Sequence, residues 1–298
     1  MTLTWEFYRA YGDTRKPEQG YGLMKKWLDY LHRYVLDEGI LMPYTGASRF
    51  LGDWATPHGS EYGNIHRWET AFNGLSPVYR DHVGTRTQGR IHQFCQRDNK
   101  KKPYLDTGSP GLPILLKYII EDVERPDLLY ACLVRTEQPG YGYFLNEGQT
   151  TRPEYWQIMG HDSKIHTCYT SIAGYFTRGI GGIMSDPEKY GMKHFIIKPH
   201  LVGDLTFANT TSGSTYGSIK SHWSRSGSAG EFHIEIPVNT MARVYIPAKD
   251  VNDVLEAAGR PATGAEGVTY LEKDGVNVVF RVDSGAYDFS SSSVPLAN

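Results

Sequence analysis

Two segments of the chain gather carboxylates, aromatic rings and histidines among glycines. The first is Leu51-Gly52-Asp53-Trp54. The second runs from Gly140 through Tyr143, Glu147, Arg152, Glu154, Tyr155 and Trp156, and is followed by His161 and His166. Hydrolysing a glycosidic bond needs two carboxyl groups. One protonates the leaving oxygen, and the other activates water or attacks the anomeric carbon. Asp53, Asp106, Glu147 and Glu154 are the candidates by residue type and setting. A lone carboxylate more often caps a helix or sits in solvent. These four are raised above that background by neighbouring Trp and Tyr, whose faces suit the C–H faces of sugar rings and whose polar edges hydrogen-bond.

Other chemistries find less support. His161 and His166 belong to no His-Glu-x-x-His motif, and no Cys-x-x-Cys pair occurs, so neither a metal nor another cofactor is expected. No Gly-x-Ser-x-Gly elbow marks a serine hydrolase. Gly179 to Gly182 closes a helical pattern and follows no strand, so it is no phosphate-binding loop.

The bulk numbers narrow the partners. The 298 residues suggest two domains. A formal net charge of −2 gives no electrostatic reason to expect nucleic acid or an anionic membrane. No apolar run nears the ~20 residues that cross a bilayer. Met1 to Ala10 lacks an apolar signal core, so a cytoplasmic location and a place within a larger exported protein both stay open. Cys95, Cys132 and Cys168 lie far apart and read as scattered thiols. Aromatic residues make up 13% of the chain, which fits carbohydrate contact as well as a Tyr-rich core.

Helical spacing dominates the first part. Leu3, Phe7 and Tyr11 mark one helix; Met24, Trp27, Leu28, Leu31 and Val35 mark the next, with Pro17 in its first turn. Leu112 to Ile120 and Leu128 to Leu133 form a second helical pair, and Ile172 to Ile180 a last helix stopped by Gly181-Gly182. Met42 to Gly63 and Pro139 to Gly148 read as loops. After Met192 short alternating runs take over: Phe195 to Ile197, Leu205 to Ala208, Ser218 to Trp223, Phe232 to Ile236, Ala242 to Ile246, Val268 to Leu271, Val276 to Val282 and Tyr287 to Phe289. The expected organisation is therefore a helical domain over 1–192 and an antiparallel β-sandwich over 193–298.

Gly142-Tyr143-Phe144-Leu145, followed by Gly148-Gln149-Thr150-Thr151-Arg152-Pro153-Glu154-Tyr155-Trp156, resembles the signature of bacterial α-L-rhamnosidases of glycoside hydrolase family seventy-eight. Phe50 to Trp54, Tyr104 to Gly108 and His200 to Thr206 are similar to other stretches of that family. The resemblance implies an α+β multidomain fold, an (α/α)6 barrel followed by a C-terminal β-sandwich. It implies inverting hydrolysis of terminal α-L-rhamnose from a glycan or glycoside, with no cofactor. Glu154 matches the general base. Asp53, Trp54, Tyr143, Trp156 and His166 match the sugar-contacting set, with Trp156 behind the base.

The chain departs from the family pattern in three respects. Pro153 stands where a Trp precedes the base, and Ile165 where an Asn precedes the His. No acidic Asp-x-Arg-Glu-Glu-like segment, which supplies the general acid, occurs in the chain. An (α/α)6 barrel of twelve helices, each of ~12 residues, needs roughly 200 to 300 residues. The helical domain is thus expected to be partial, completed by further chain or by an oligomeric neighbour. Two rival readings remain: a non-catalytic sugar-binding remnant, and a polysaccharide lyase on a similar helical toroid.

Overall fold

The computed structural model describes residues 2–33, 104–105, 107–109, 111–158, 160, 163–257 and 259–295. A helical part is followed by a β-sheet domain. The chain divides into two compact units, one formed by Met1–Tyr21 with Gly174–Asn298 and the other by Gly22–Ala173. Among the described residues, no helix is long and apolar enough to cross a membrane.

In the first unit, α1 (Thr2–Tyr11) lays Trp5 and Tyr8 against Tyr190, with ring centroids 5.3 and 4.9 Å apart. Gly12, at φ 68°, ends the helix, and the Gly191 amide donates to the Arg9 carbonyl at 3.0 Å. Helix α2 (Arg15–His32) follows at once, with Pro17 in its first turn as its fixed φ favours.

The sheet has nine strands: β1 (Ile183–Ser185), β2 (His194–Ile197), β3 (Phe207–Ser214), β4 (Gly217–Ser226), β5 (Ala229–Pro247), β6 (Val254–Glu256), β7 (Arg260–Pro261), β8 (Val268–Asp274) and β9 (Asn277–Ser291). Its spine is the β5–β9 ladder, from Gly230 opposite Ser291 to Pro247 opposite Asn277. Every strand pair is antiparallel except β2 with β5. A register shift between Ile236 and Met241 interrupts β5, and Asn239 there takes φ 61°. Such a bulge bends a strand and increases its twist. Phe232, Ile234, Val244, Ile246, Phe280, Val282 and Phe289 alternate inward to form the core. Each such side chain stabilises the fold by roughly 1.5–3 kcal/mol relative to exposure.

Four of the expected strands are in fact two. Phe232 to Ile236 joins Ala242 to Ile246 as β5, and Val276 to Val282 joins Tyr287 to Phe289 as β9. The polar links between them read as turns but are held in the ladder by their neighbours. Strand β3 begins at Phe207, later than Leu205, and carries a Thr/Ser-rich run whose alternation is too polar to stand out. Among the described residues it pairs only with β4, as an edge strand.

Just before the sheet, the Gly181 amide donates to the Phe176 carbonyl at 3.0 Å, closing a π-type turn over Phe176–Ile180. The exposed carbonyls at this end are taken up by the sheet. Trp223 Nε1 donates to the Ile180 carbonyl at 3.1 Å, and Ser221 Oγ to the Gly181 carbonyl at 2.7 Å. Gly182 is required here: it has φ 71°, and a Cβ would lie 2.0 Å from the Lys198 carbonyl.

In the second unit, α3 (Gly111–Lys117) runs into a π-type turn over Tyr118–Asp122, with the Val123 amide bonded to the Tyr118 carbonyl at 3.0 Å. Leu112, Leu115, Leu116, Ile119 and Ile120 are buried along it, the face read from their spacing. Helix α4 (Pro126–Leu133) buries Leu129 and Cys132. The stretch Pro139 to Gly148, read as a loop, contains the helix α5 (Tyr141–Asn146). Gly140 and Gly142 hid the signal, yet both are needed: a Cβ on Gly140 or Gly142 would meet the Arg135 carbonyl at 2.5 or 2.7 Å. A last short turn, α6 (Thr167–Thr170), closes this unit.

Candidate active site

The loop that holds Glu154 is built around a buried arginine. Arg152 is 7% exposed, and its guanidinium carbon lies 4.1 Å from the ring centres of both Phe144 and Tyr169. Trp156 and Tyr141 complete the enclosure at 4.5 and 5.5 Å. One guanidinium nitrogen, Nη1, donates to the carbonyls of Pro153 and Tyr155 at 2.6 and 2.7 Å. A charge taken from water is tolerable only with such compensation. Ring faces supply roughly 2 kcal/mol or more for a desolvated cation, and charged hydrogen bonds add to that. Arg keeps its charge in any setting, so a fixed positive charge lies under residues 153–155.

The cage is tied to the rest of the unit at two points. Trp156, with 0% exposure, meets Tyr141 and Tyr169 edge-on at 5.7 and 5.4 Å. Its indole N–H donates to the Thr107 carbonyl at 2.7 Å, linking the loop to the segment before α3. The Tyr141 hydroxyl donates to the Tyr169 carbonyl at 2.7 Å. Burial pushes the Tyr141 phenol upward, against the opposing pull of Arg152, so the hydroxyl stays a neutral donor.

Above this base, two backbone hydrogen bonds draw separate stretches together. The Glu154 amide donates to the Ser163 carbonyl at 3.0 Å, and the His166 amide donates to the Arg152 carbonyl at 3.1 Å. They hold the backbone of residues 152–154 against that of residues 163–166. Glu154 and His166 are both half-buried. The His166 ring lies edge-on to Tyr169 at 5.6 Å, and its Nδ1 is buried with no hydrogen-bond partner among the described residues. An unpartnered buried ring nitrogen is costly unless something else bonds it, such as water or a ligand hydroxyl. A half-buried carboxylate can take a proton from water, and such a His can hold a sugar hydroxyl.

Tyr143 lies half-buried on α5, its ring edge-on to Phe144 at 5.2 Å. Glu147 is exposed at the end of that helix. Trp156, expected among the sugar contacts, offers no surface to a ligand and acts here as the wall behind Arg152. Asp53, Trp54, Asp106 and His161 lie outside the described residues. Among those described, no group of three or more His, Cys, Asp or Glu is arranged to hold a metal ion. The sequence reading gave no role to Arg152, Tyr141 or Tyr169. The available signal was a charged residue set in an aromatic-dense stretch between Thr151 and Pro153.

Comparison with known proteins matches two adjoining models. The bacterial α-L-rhamnosidase 6-hairpin glycosidase domain matches residues 1–73 and 78–180. The bacterial α-L-rhamnosidase C-terminal domain matches residues 182–259. An α-L-rhamnosidase of Streptomyces avermitilis is 24% identical over 344 aligned residues, covering 97% of this chain and 32% of the relative. One from Formosa agariphila is 26% identical over 354, covering 97% and 38%. Among solved structures, the Streptomyces avermitilis α-L-rhamnosidase complexed with L-rhamnose has a TM-score of 0.71 at 23% identity, covering 97% of this chain and 32% of that one. The α-L-rhamnosidase from Dictyoglumus thermophilum has a TM-score of 0.72 at 21% identity, covering 97% and 38%. The chain thus spans about a third of the length of the relatives it matches.

Proposed function

Because the chain belongs to the bacterial α-L-rhamnosidase family, we propose that it acts on terminal α-L-rhamnose of a glycan or glycoside by inverting hydrolysis. The supporting observation is the pair of backbone bonds that joins the Glu154 segment to the His166 segment, next to the Arg152 cage. Glu154 is the general base, drawing a proton from the water that attacks the anomeric carbon. His166 Nδ1 binds a sugar hydroxyl. Tyr143 lines the sugar, and Asp53 and Trp54 hold it. Trp156 acts at one remove, as a positioning residue for the loop. Arg152 fixes the carbonyls of Pro153 and Tyr155 and so orients Glu154 between them. The expected boundary near Met192 separates this helical catalytic part from a β-domain that supports it.

The chain holds no segment of the general-acid type, so Glu154 is the one catalytic carboxyl assigned to it. That favours a second reading, sugar binding without turnover. An aryl α-L-rhamnoside separates the two, because its good leaving group needs little acid assistance. Release of the phenol that is lost in Glu154→Gln supports hydrolysis. Rhamnose binding by calorimetry with no release supports the second reading.

A further inference from the structure

The sheet of the first unit carries an open groove of about 400 Å³, lined by apolar side chains together with outward-facing polar residues of neighbouring strands. Their register sets them in rows. Asn209 stands opposite His222, His222 opposite His233, and His233 opposite Asp288. Two residues further along each strand, about 6.6–6.8 Å away, Phe207, Ser224, Glu231 and Ser290 form a parallel row.

The cations around the groove are paired with carboxylates, and Glu231 accepts from the Ser224 hydroxyl at 3.4 Å. His233 bonds Asp288 through Nδ1 at 2.7 Å and Glu235 through Nε2 at 3.2 Å. Lys220 donates to Glu235 at 2.7 Å. Glu256, only 8% exposed, lines the groove and pairs with Arg260 at 3.3 Å. Among the described residues these acids and histidines form no metal-holding group. Two further side chains of the groove are neutral and bifunctional. Neither the Asn209 amide nor the His222 ring has a hydrogen bond within the described residues. Burial and the neighbouring His233 hold the His222 pKa down, so this ring is neutral, with one donor and one acceptor. Beside them Phe207, 63% exposed on the edge strand, presents an aromatic ring.

A groove whose cations are paired with carboxylates gains little from an anionic ligand. A cluster of neutral donors and acceptors next to an open aromatic ring suits a polyol with an apolar face. We propose that this groove is a second saccharide site, distinct from the Glu154 loop. It takes a neutral sugar whose C–H face lies on Phe207 and whose hydroxyls bond Asn209 and His222.

The test uses the full chain with carbon-13 in its histidine rings. It is titrated with methyl α-L-rhamnoside, methyl glucoside and methyl galactoside, followed by NMR. At least one glycoside should shift the His222 ring signal saturably. Phe207→Ala and Asn209→Ala, both at exposed positions of the edge strand, should each weaken that binding about tenfold, one contact's worth. Glu154→Gln should leave it unchanged, so failure of the proposed hydrolysis does not touch this result. Three outcomes overturn the proposal: no saturable shift with any of the three glycosides, a shift untouched by both strand substitutions, or a shift lost in Glu154→Gln.

Discussion

The His166 amide donates to the Arg152 carbonyl at 3.1 Å, while the Arg152 side chain turns inward among four aromatic rings. One residue thus anchors the loop below and the segment that carries His166 above. Glu154 owes its position to both bonds. Replacing Arg152 by Lys keeps the charge but loses the planar guanidinium that lies among the rings and places Nη1 between two carbonyls. We expect a stability loss of about 1–3 kcal/mol, read by urea unfolding. Turnover should fall with it, because the carbonyls on either side of Glu154 are released. Unchanged stability would mean that the two carbonyl bonds carry no weight.

Trp156→Phe keeps most of the ring and removes the N–H that reaches the Thr107 carbonyl. That carbonyl is left with a lost partner in a dry setting, a cost of roughly 1–3 kcal/mol. Rhamnose affinity should change little at temperatures where the fold holds, since Trp156 has no exposed surface. A large loss of affinity in the folded variant would instead place the indole against the sugar.

Gly182→Ala should be among the most damaging small changes in the first unit. The new methyl would lie 2.0 Å from the Lys198 carbonyl, and φ is 71°. A left-handed non-glycine residue costs ~1–3 kcal/mol before any clash is counted. Thermal unfolding of the variant should show a midpoint several degrees lower, or little folded protein at all. A midpoint equal to that of the parent would contradict the close approach.

The two histidines of the groove should titrate apart. The bond to Asp288 is the main cause that raises the His233 pKa above 6.5, with burial opposing and Glu235 helping. Burial, then His233 and Lys220, lowers that of His222 below 6.5. The signs follow from linkage. The His233 contribution to stability is fully present below pH 6.5 and is lost as pH rises through its raised pKa. The His222 contribution runs the other way: stability is lost as pH falls from 6.5 through its lowered pKa. Ring carbon shifts against pH measure both, and a shared midpoint would refute the assignment.

The helices around Leu112 to Ile120 and Leu128 to Leu133 were legible because buried leucines and isoleucines recur at helical spacing. The strands were legible as alternating runs, but their lengths were not. Asn239 in β5 and Gly285 in β9 look like turn residues, and the decision to continue the ladder belongs to tertiary pairing. Helix α5 was hidden by glycines whose reason is their contact with the Arg135 backbone. At the site, Glu154 stood out through its motif. The cage did not, because Tyr141, Phe144 and Tyr169 meet Arg152 only in the folded unit. The buried state of Trp156 was likewise invisible, since an indole that packs on sugar and one that packs on arginine look alike in sequence.

The most direct test follows the hydrolysis of an aryl α-L-rhamnoside by proton NMR, with the parent chain and with Glu154→Gln. Water activated by Glu154 attacks opposite the leaving group, so β-L-rhamnose should form first in the parent reaction. The Glu154→Gln rate should be about 10²–10⁴-fold lower. Release of α-L-rhamnose first, or equal rates for the two proteins, would contradict the role given to Glu154.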